Sequence, residues 1–557
     1  GRRNTAGRIQ QSVLQSEKYS IAGEEEEEED EMGADGMEEA GEEEDDETKM
    51  NKMLDQAEGV EIMDIHQLKR AVLSLERKIA KNQEMRVKHA DEPTRFLDSE
   101  VELYEDINKL QALATAPELY GEFVKLNAVQ KLSELLDHEN VDITLATIEL
   151  MNELTDPDAL GEMESEDCLK DLVNSLVENA FLELLAKNLA RIDEGEDDGR
   201  QGIYNALSII ENLSELQPHA LEAICDKTEL VPWLFKRLRV KTFDQNKLYC
   251  SEIISILCQQ NQENQKKIGS DGGMDNLLQL TSSWKKKDPK DSDESEMIQN
   301  LFDSICSCVM VPENLAAFVE GEGIELMVIM LQARKFAARC ALKVLDYSLS
   351  RSNAACERFV NAAGLKTLFP GFLKPQSILA NCNFKEAKGG AREDEEHVVS
   401  IISSLILRLG GDLHSRVLQK FVENGFEKLD KLIELHEKYY TLVESAADEE
   451  EKDEDEEDGY ENMTAEERRY LARLDKGLFI LQLVDTILAF LLTEDLPGIE
   501  KRIRMLLHQS DAGIEQVIKV MKEYHDNIGD ESTGGEDALN MKEITGDLLD
   551  FLKEKQP

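Results

Sequence analysis

The chain has 557 residues, of which 41% are hydrophobic, 5% are aromatic and 11 are prolines. This composition can build an extended core of Leu, Ile, Val and Ala, which favours packed helices over β-sandwiches. The formal net charge of −54 at pH 7 repels phosphates, so it excludes nucleic acid as the dominant ligand and favours basic protein segments as partners.

The cysteine pattern and the apolar runs bear on the cellular compartment. Nine cysteines are an odd number, include no Cys-X-X-Cys pair and mostly lie in apolar helical patterns, where a free Cys acts as a small hydrophobic residue. This usage is typical of a reducing compartment, the cytosol or the nucleus. No secretory signal is apparent and no apolar run reaches ~18 residues, so we expect no membrane span.

Two acidic tracts interrupt the chain. Residues 1–58 are polar, and residues 24–47 alone contain 17 acids and no base. Such a segment cannot bury enough apolar area to offset its chain entropy, which predicts a disordered acidic tail over 1–58. A second tract, residues 448–461, holds 11 acids and one Lys and predicts a disordered acidic insertion over 446–464.

A helix is predicted directly after the tail. Ile65, Leu68, Val72, Leu75 and Ile79 follow 3,4,3,4 spacing and form one apolar stripe on a helix. The stripe suits either a helix that caps a repeat array or a short coiled-coil dimer. Only about two heptads are present, which favours the cap.

A repeated unit begins near residue 96. Each copy has an apolar pair, a small residue at a turn, a Leu-rich helix, a polar loop and a second apolar helix. The small turn residues are Ala128, Ala180, Thr228, Gly273, Gly323, Gly364 and Gly425. They are spaced 41–61 residues apart, which is the armadillo and HEAT period of ~40–47 residues with loop insertions. The pattern predicts an all-α, armadillo-type helical-repeat solenoid with N- and C-terminal helical caps.

The C-terminal part is predicted to close the array. The apolar run Tyr470–Leu492 predicts one buried terminal helix, followed by two or three shorter capping helices up to Leu552. The expected organisation is therefore the acidic tail, an N-terminal helical cap over 59–122, armadillo repeats over 123–445, the acidic insertion and a C-terminal helical cap over 465–557.

Sequence motifs for chemistry are weak. The run from Gly321 to Leu326 begins like GxGxxG but lacks the last Gly and a preceding strand, so an inter-helix turn with Gly relieving φ strain is favoured. The run from His436 to Tyr440 misses the second His of HExxH. Cys306 and Cys308 point to different sides of a helix and cannot share a metal. We therefore expect no catalytic, cofactor-binding or metal site and no enzyme activity.

The remaining candidate site is a surface. The last helix of each repeat lines the peptide-binding face of armadillo arrays, and acidic groups recur there at one-repeat intervals. Such groups suit an extended Lys/Arg-rich segment held by charge-assisted hydrogen bonds, although an ordinary solvated face gives the same pattern. The predicted groove residues are Glu149, Asn152, Glu153, Glu211, Asn212, Glu252, Ser255, Asp346 and Tyr347.

A basic stretch stands out in the acidic chain. Lys285, Lys286, Lys287 and Lys290 lie in one inter-helix loop. A solvated basic face is the favoured interpretation, and a nuclear-localisation element or an RNA-contacting edge is the alternative. The loop lacks the interleaved aromatic residues of a base-stacking platform.

Several long segments resemble the beta-catenin-like family of nuclear armadillo-repeat proteins. The segments are Leu126–Gln130, Phe243–Glu252, Asn300–Cys308, Ala341–Asp346, Leu474–Gln482 and Lys522–Asp530. The resemblance implies a nuclear scaffold of a pre-mRNA splicing complex that binds basic, localisation-type segments of splicing proteins, and it implies possible self-association as a homodimer. The family's basic N-terminal localisation motif is not seen here. A regulatory adaptor or cargo-binding subunit for nuclear import or the ubiquitin pathway is the alternative.

Overall fold

The computed structural model describes most of the chain. The described residues are 63–157, 166–216, 222, 224–225, 228–259, 261–270, 272–388, 390–450, 464–494, 496–509, 513–529 and 539–555. They divide into an N-terminal unit that ends at Lys267 and a C-terminal unit that starts at Ile268. The predicted tail 1–58 and most of the predicted insertion lie outside the described residues.

The described residues form α-helices joined by turns, loops and short 3-10 helices, and they contain no β-strand. The N-terminal helices are α1 (Ile65–Lys88), α2 (Leu97–Lys109), α3 (Tyr120–Lys125), α4 (Ala128–Leu135), α5 (Val141–Thr155), α6 (Glu166–Glu178), α7 (Phe181–Leu189), α8 (Asp197–Leu216), α9 (Leu230–Leu238), α10 (Gln245–Cys258) and α11 (Gln262–Gly269). The remaining helices are α12 (Gly273–Ser282), α13 (Ser292–Cys308), α14 (Pro312–Glu320), α15 (Gly323–Ala333), α16 (Ala337–Leu349), α17 (Asn353–Asn361), α18 (Gly364–Leu373), α19 (Ala391–Arg408), α20 (Gly411–Val422), α21 (Glu427–Glu450), α22 (Ala465–Asp475), α23 (Leu478–Thr493), α24 (Ile499–Gln509), α25 (Ile514–Asn527) and α26 (Met541–Glu554).

The helices follow a three-helix repeat. In the N-terminal unit α3–α5 and α6–α8 each form one repeat, and in the C-terminal unit α14–α16 and α17–α19 do the same. In the N-terminal unit α2 contacts α5, α5 contacts the next third helix α8, and α8 contacts α10. In the C-terminal unit α13 contacts α16, α16 contacts α19, and α19 contacts α23. This stacking buries apolar faces that a single repeat would leave exposed. The predicted all-α, armadillo-type fold is confirmed.

Three of the third helices begin at side-chain caps that the sequence encodes. Asn140 accepts a hydrogen bond from the backbone N–H of Asp142 at the start of α5. Asp244 and Asp291 do the same for α10 and α13. Each cap satisfies a backbone donor that the helix cannot pair internally, a contribution of about 1 kcal/mol.

The turn between the first and second helix differs from the prediction in two repeats of the C-terminal unit, whereas the predicted turn residue Ala180 before α7 is itself left-handed (φ 54°). The left-handed residue is Glu322 (φ 59°) before α15 and Ala363 (φ 61°) before α18, not the glycine that follows. The glycines serve close packing instead, because a Cβ on Gly364 would lie 2.5 Å from the ring of Phe359. Gly272 (φ 81°) before α12 is a turn residue at which glycine does relieve φ strain.

The N-terminal helix α1 packs on α2. Leu68, Val72 and Leu75 of the predicted stripe are buried, and Ile65 at the start of the stripe is exposed. A capping box between Asp64 and Gln67 fixes the first turn. The stripe is therefore covered within the chain, as expected for a capping helix.

The C-terminal part differs from the single helix predicted over Tyr470–Leu492. The chain bends by 74° between α22 and α23, because Gly477 adopts φ 102° and its Cα lies against the ring of Tyr439. The apolar α23 is almost entirely buried, as predicted. Three shorter helices, α24–α26, follow it. Helix α21 runs to Glu450, so it includes the first five residues of the predicted insertion.

Candidate functional site

The predicted groove residues fall in both units. Seven lie on the third helices α5, α8 and α10 of the N-terminal unit, which contact one another in that order. The other two, Asp346 and Tyr347, lie on α16 of the C-terminal unit. Each set is therefore considered within its own unit.

Helix α5 carries two acidic groups that have no charged partner among the described residues. Glu149 is exposed and Glu153, one turn later, is half-buried. No described Lys, Arg or His forms an ion pair or hydrogen bond with either carboxylate. Burial raises the pKa of Glu153, and the like charge of Glu149 raises it further. Two carboxylates held one turn apart without a counter-charge repel each other, so a cation placed between them would be attracted.

Asn152 lies between these two carboxylates in sequence and is half-buried. Its Oδ1 is buried and accepts no hydrogen bond from any described group. A buried acceptor without a donor is costly, so it favours a ligand that supplies an N–H. Asn212 on α8 differs, because its Nδ2 already lies 3.5 Å from Oγ1 of Thr155.

Two tyrosines that the sequence analysis missed lie beside Glu211. The rings of Tyr204 on α8 and Tyr249 on α10 are 4.9 Å apart between centroids. The Tyr249 hydroxyl donates a hydrogen bond to Glu211, and burial, with the Glu211 hydrogen bond, raises the pKa of Tyr249. Tyr204 is 42% exposed, two helical turns before Glu211, a spacing that could have revealed it.

The other predicted groove residues are more enclosed. Ser255 is buried and Glu252 half-buried on α10. In the C-terminal unit Asp346 lies 2.9 Å from Nδ1 of His397, and Tyr347 is half-buried. Burial by itself lowers the pKa of His397, but the hydrogen bond and charge of Asp346 outweigh it and leave that pKa raised. Asp346 therefore has a partner within the chain, while Glu149 and Glu153 have none among the residues that the structure describes.

All four lysines of the predicted basic element are exposed between α12 and α13. Lys285, Lys286 and Lys287 form no ion pair with a described carboxylate. Lys290 lies 2.8 Å from Glu294. Asp288 anchors the loop, since it accepts hydrogen bonds from Lys335 Nζ (2.8 Å) and from two backbone N–H groups. These hydrogen bonds hold in place the loop that carries the exposed lysines. The role of the lysines as a localisation element stays a prediction.

The described part of the chain assembles no group of three or more His, Cys, Asp or Glu residues that could hold a metal. His436 of the HExxH-like run is fully buried, with Nδ1 2.6 Å from Asp485. Desolvation raises the pKa of the Cys225 and Cys340 thiols to about 12, so neither is a thiolate nucleophile at neutral pH.

Within the described ranges, no single helix is both long enough and apolar enough to cross a bilayer, whereas two pairs of helices joined at a bend have sufficient length and apolar composition when taken together.

Comparison with known proteins shows where the chain has relatives. The profile of the family described as "Catenin-beta-like, Arm-motif containing nuclear" matches residues 46–522. Beta-catenin-like protein 1 of Homo sapiens is 40% identical over 496 residues, covering 88% of this chain and 86% of the relative. The Beta-catenin-like protein 1 homolog of Schizosaccharomyces pombe is 33% identical over 478 residues, covering 85% and 80%.

Solved structures are more distant. An engineered protein superimposes with a TM-score of 0.48 at 16% identity, covering 81% of this chain and 95% of that chain. A computationally designed armadillo repeat protein for modular peptide recognition gives 0.34 at 16% identity, covering 48% and 99%.

Proposed function

Because this chain belongs to the Catenin-beta-like family of Arm-motif containing nuclear proteins, we propose that it is a nuclear, non-enzymatic scaffold of a pre-mRNA splicing complex. It holds partner proteins by their basic segments. The family supports the protein-binding role, and the resemblance of the segments given above supports the splicing assignment. The observation that carries the basic-segment assignment is the pair of unpaired carboxylates on α5.

The electrostatics of α5 select the ligand class. Glu149 and Glu153 are one turn apart without a described cation partner, and burial and mutual repulsion raise the pKa of Glu153. A Lys or Arg side chain that lies between them removes the repulsion and gains charge-assisted hydrogen bonds. Each such bond contributes about 1.5–3 kcal/mol where water is partly excluded, and less at the exposed Glu149.

The neutral groups indicate an extended ligand. The buried Oδ1 of Asn152 lacks a donor, and a backbone N–H of an extended segment would supply one. The half-exposed ring of Tyr204 on the neighbouring helix α8 offers an apolar and π surface for the stem or charge of another basic side chain. Glu211 contributes negative potential while its carboxylate is held by Tyr249.

The test is a charge reversal on the full chain. In the variant E149K/E153K, binding of a fluorescent Lys/Arg-rich peptide should weaken by about tenfold or more in fluorescence polarisation. The matched control is E313K/E320K on α14, where both glutamates are exposed and the change in net charge is identical. Circular dichroism checks that each variant keeps its helix content.

The two results are read together. Selective loss in E149K/E153K supports the α5 surface, whereas equal loss in both variants reflects net charge alone and contradicts it. Affinity purification from nuclear extract then tests the assembly. Splicing proteins that are retained by the unaltered chain and lost by E149K/E153K support the proposal. Recovery of import receptors or ubiquitin ligases alone would favour an adaptor for those pathways.

A further inference from the structure

A pocket in the C-terminal unit collects positive charge. It has a volume of about 250 Å³ and lies between the end of α18, the first turns of α19 and the middle of α21. Four cationic residues, Lys374, Arg392, Lys431 and Lys438, line it together with one carboxylate, Glu395. Since acids outnumber bases by 117 to 63 in the chain, four cations around one pocket run against the composition.

The cations come from separate parts of the chain. Lys374 follows α18, Arg392 lies in the first turn of α19, and Lys431 and Lys438 lie on α21. The last two are seven residues apart, so they lie two turns apart on the same face of that helix. Helices α18 and α21 contact each other within this unit. The convergence is therefore built by the helix packing, not by a basic run in the sequence.

Two of the four charges are already balanced. Lys431 Nζ lies 2.9 Å from Oε1 of Glu434. Lys438 Nζ lies 2.6 Å from Oε2 of Glu395, which also accepts a hydrogen bond from the Tyr439 hydroxyl at 2.6 Å. These contacts hold the walls of the pocket in place and leave its remaining charge to the other two cations.

The other two charges have no carboxylate partner among the described residues. Lys374 is exposed, and its side chain makes no ion pair or hydrogen bond with a described group. Arg392 is exposed and donates to the backbone carbonyl of Asp475, a neutral acceptor. Two cations with uncompensated charge at one pocket match the charge of about −1.5 to −2 that a phosphate monoester carries at pH 7.

We propose that this pocket binds a phosphorylated Ser or Thr side chain of a partner protein. The Lys374 ammonium and the Arg392 guanidinium contact the phosphate. Lys431 and Lys438, which are each paired with a glutamate, add positive potential at the pocket. The volume of the pocket, about 250 Å³, is smaller than the range of about 300–1,000 Å³ that is typical of sites for whole small molecules. The pocket therefore suits a single phosphorylated side chain. A nucleic acid would bring many phosphates against a strongly acidic protein, whereas a phosphorylated side chain brings only one.

The experiment uses the full chain and two synthetic peptides. A fluorescein-labelled Gly/Ala peptide with a central phosphoserine is compared with the same peptide carrying Ser. We expect the phosphorylated peptide to bind at least about tenfold more tightly in fluorescence polarisation, with an affinity that falls as salt rises. The charge reversal K374E/R392E should remove this preference.

A control of equal charge separates the pocket from the general field. In K285E/K286E the same number of exposed cations is reversed at the α12–α13 loop, and the preference for phosphoserine should persist. Because Arg392 donates to a backbone carbonyl, its loss could disturb folding, so the single variant K374E is measured as well. Lys374 makes no contact with a described group that its replacement would break, and K374E should weaken phosphopeptide binding by about threefold or more.

Four results would overturn the proposal. Equal affinity for the Ser and phosphoserine peptides would show that the pocket does not read phosphate. Equal loss in K374E/R392E and K285E/K286E would show a non-specific field. Displacement of the peptide by an equimolar amount of inorganic phosphate, or tighter pocket-dependent binding of a single-stranded oligouridine, would assign the pocket to those ligands instead.

Discussion

Replacing Gly364 by Ala tests the packing of the repeat most directly. A Cβ at this position would lie 2.5 Å from two ring atoms of Phe359 and 2.7 Å from a third. Phe359 is fully buried in the C-terminal unit, so its ring cannot swing into solvent. The same arrangement occurs at Gly323, whose Cβ would lie 2.4 Å from the ring of Phe318.

The sign follows from two opposing effects. A Gly→Ala change lowers the entropy of the unfolded chain and by itself stabilises the folded state by about 0.4–1 kcal/mol. Overpacking a rigid core costs about 1–3 kcal/mol. The new Cβ would lie more than half an ångström closer to the buried aromatic ring than van der Waals contact allows. The overpacking cost at this site should therefore fall in the upper part of that range. We therefore expect G364A to lower the free energy of unfolding by about 1–2 kcal/mol.

The assay is urea denaturation followed by circular dichroism, with the midpoint compared between variants. Gly410 provides the control, because a Cβ there meets no atom within 4 Å and its φ of −128° suits any residue. Because Gly410 is the N-cap residue of α20, where Gly is preferred to Ala, the cap effect and the lower entropy of the unfolded chain oppose each other, and G410A should shift the midpoint less than G364A does. Combining G364A with Phe359→Leu should recover part of the loss, because the smaller side chain leaves room for the new methyl. A midpoint for G364A equal to or above that of the unaltered chain would refute the reasoning.

Two further predictions concern ionisable groups. Because Asp346 leaves the pKa of His397 above its ordinary value, the folded chain binds this proton more tightly than the unfolded chain. The resulting stabilisation is full below pH about 6.5 and is lost as pH rises through the raised pKa. The difference in unfolding free energy between the unaltered chain and D346N should therefore shrink from pH 6 upward, and a constant difference between pH 5 and 8 would contradict it. Glu153 is the second case. Burial and the charge of Glu149 raise the pKa of Glu153, so the charged form of Glu153 destabilises the folded state at pH 7. E153Q should therefore raise the free energy of unfolding at pH 7 by about 0.2–0.5 kcal/mol, as measured by thermal melts. The same variant should weaken binding of the basic peptide in polarisation titrations. Lower stability in E153Q would show that the carboxylate has a stabilising partner.

Helix periodicity was readable from the sequence wherever one face of a helix is buried. The 3.6-residue period of Leu68, Val72 and Leu75 was sufficient to predict that this face of α1 is buried. The structure shows that α1 packs on α2. The turn glycines were recognised as turns, but the residue with positive φ is the one before, as at Glu322 and Ala363. The sequence could not separate a glycine needed for its φ from one needed for a close approach, because only the position of Phe318 or Phe359 makes that distinction.

The break at Gly477 illustrates the same limit. An apolar run that continues across a glycine is compatible with one helix, since Gly costs only about 1 kcal/mol inside a helix. The ring of Tyr439, 38 positions earlier in the chain, lies against the Gly477 Cα, and the chain bends there by 74°. Contacts of this sequence separation leave no local pattern.

Composition and periodicity by themselves determined that this is an acidic, all-α repeat protein of the armadillo type, because burial of one helix face imposes its spacing on the residues themselves. Tertiary structure alone decided which charged groups are free. Among the predicted groove acids, Glu211 and Asp346 are held by partners 38 and 51 positions away, while Glu149 and Glu153 have none among the described residues. The cationic pocket joins residues from 374 to 438, since electrostatic partners are chosen by distance in space, which the order of residues along the chain does not encode.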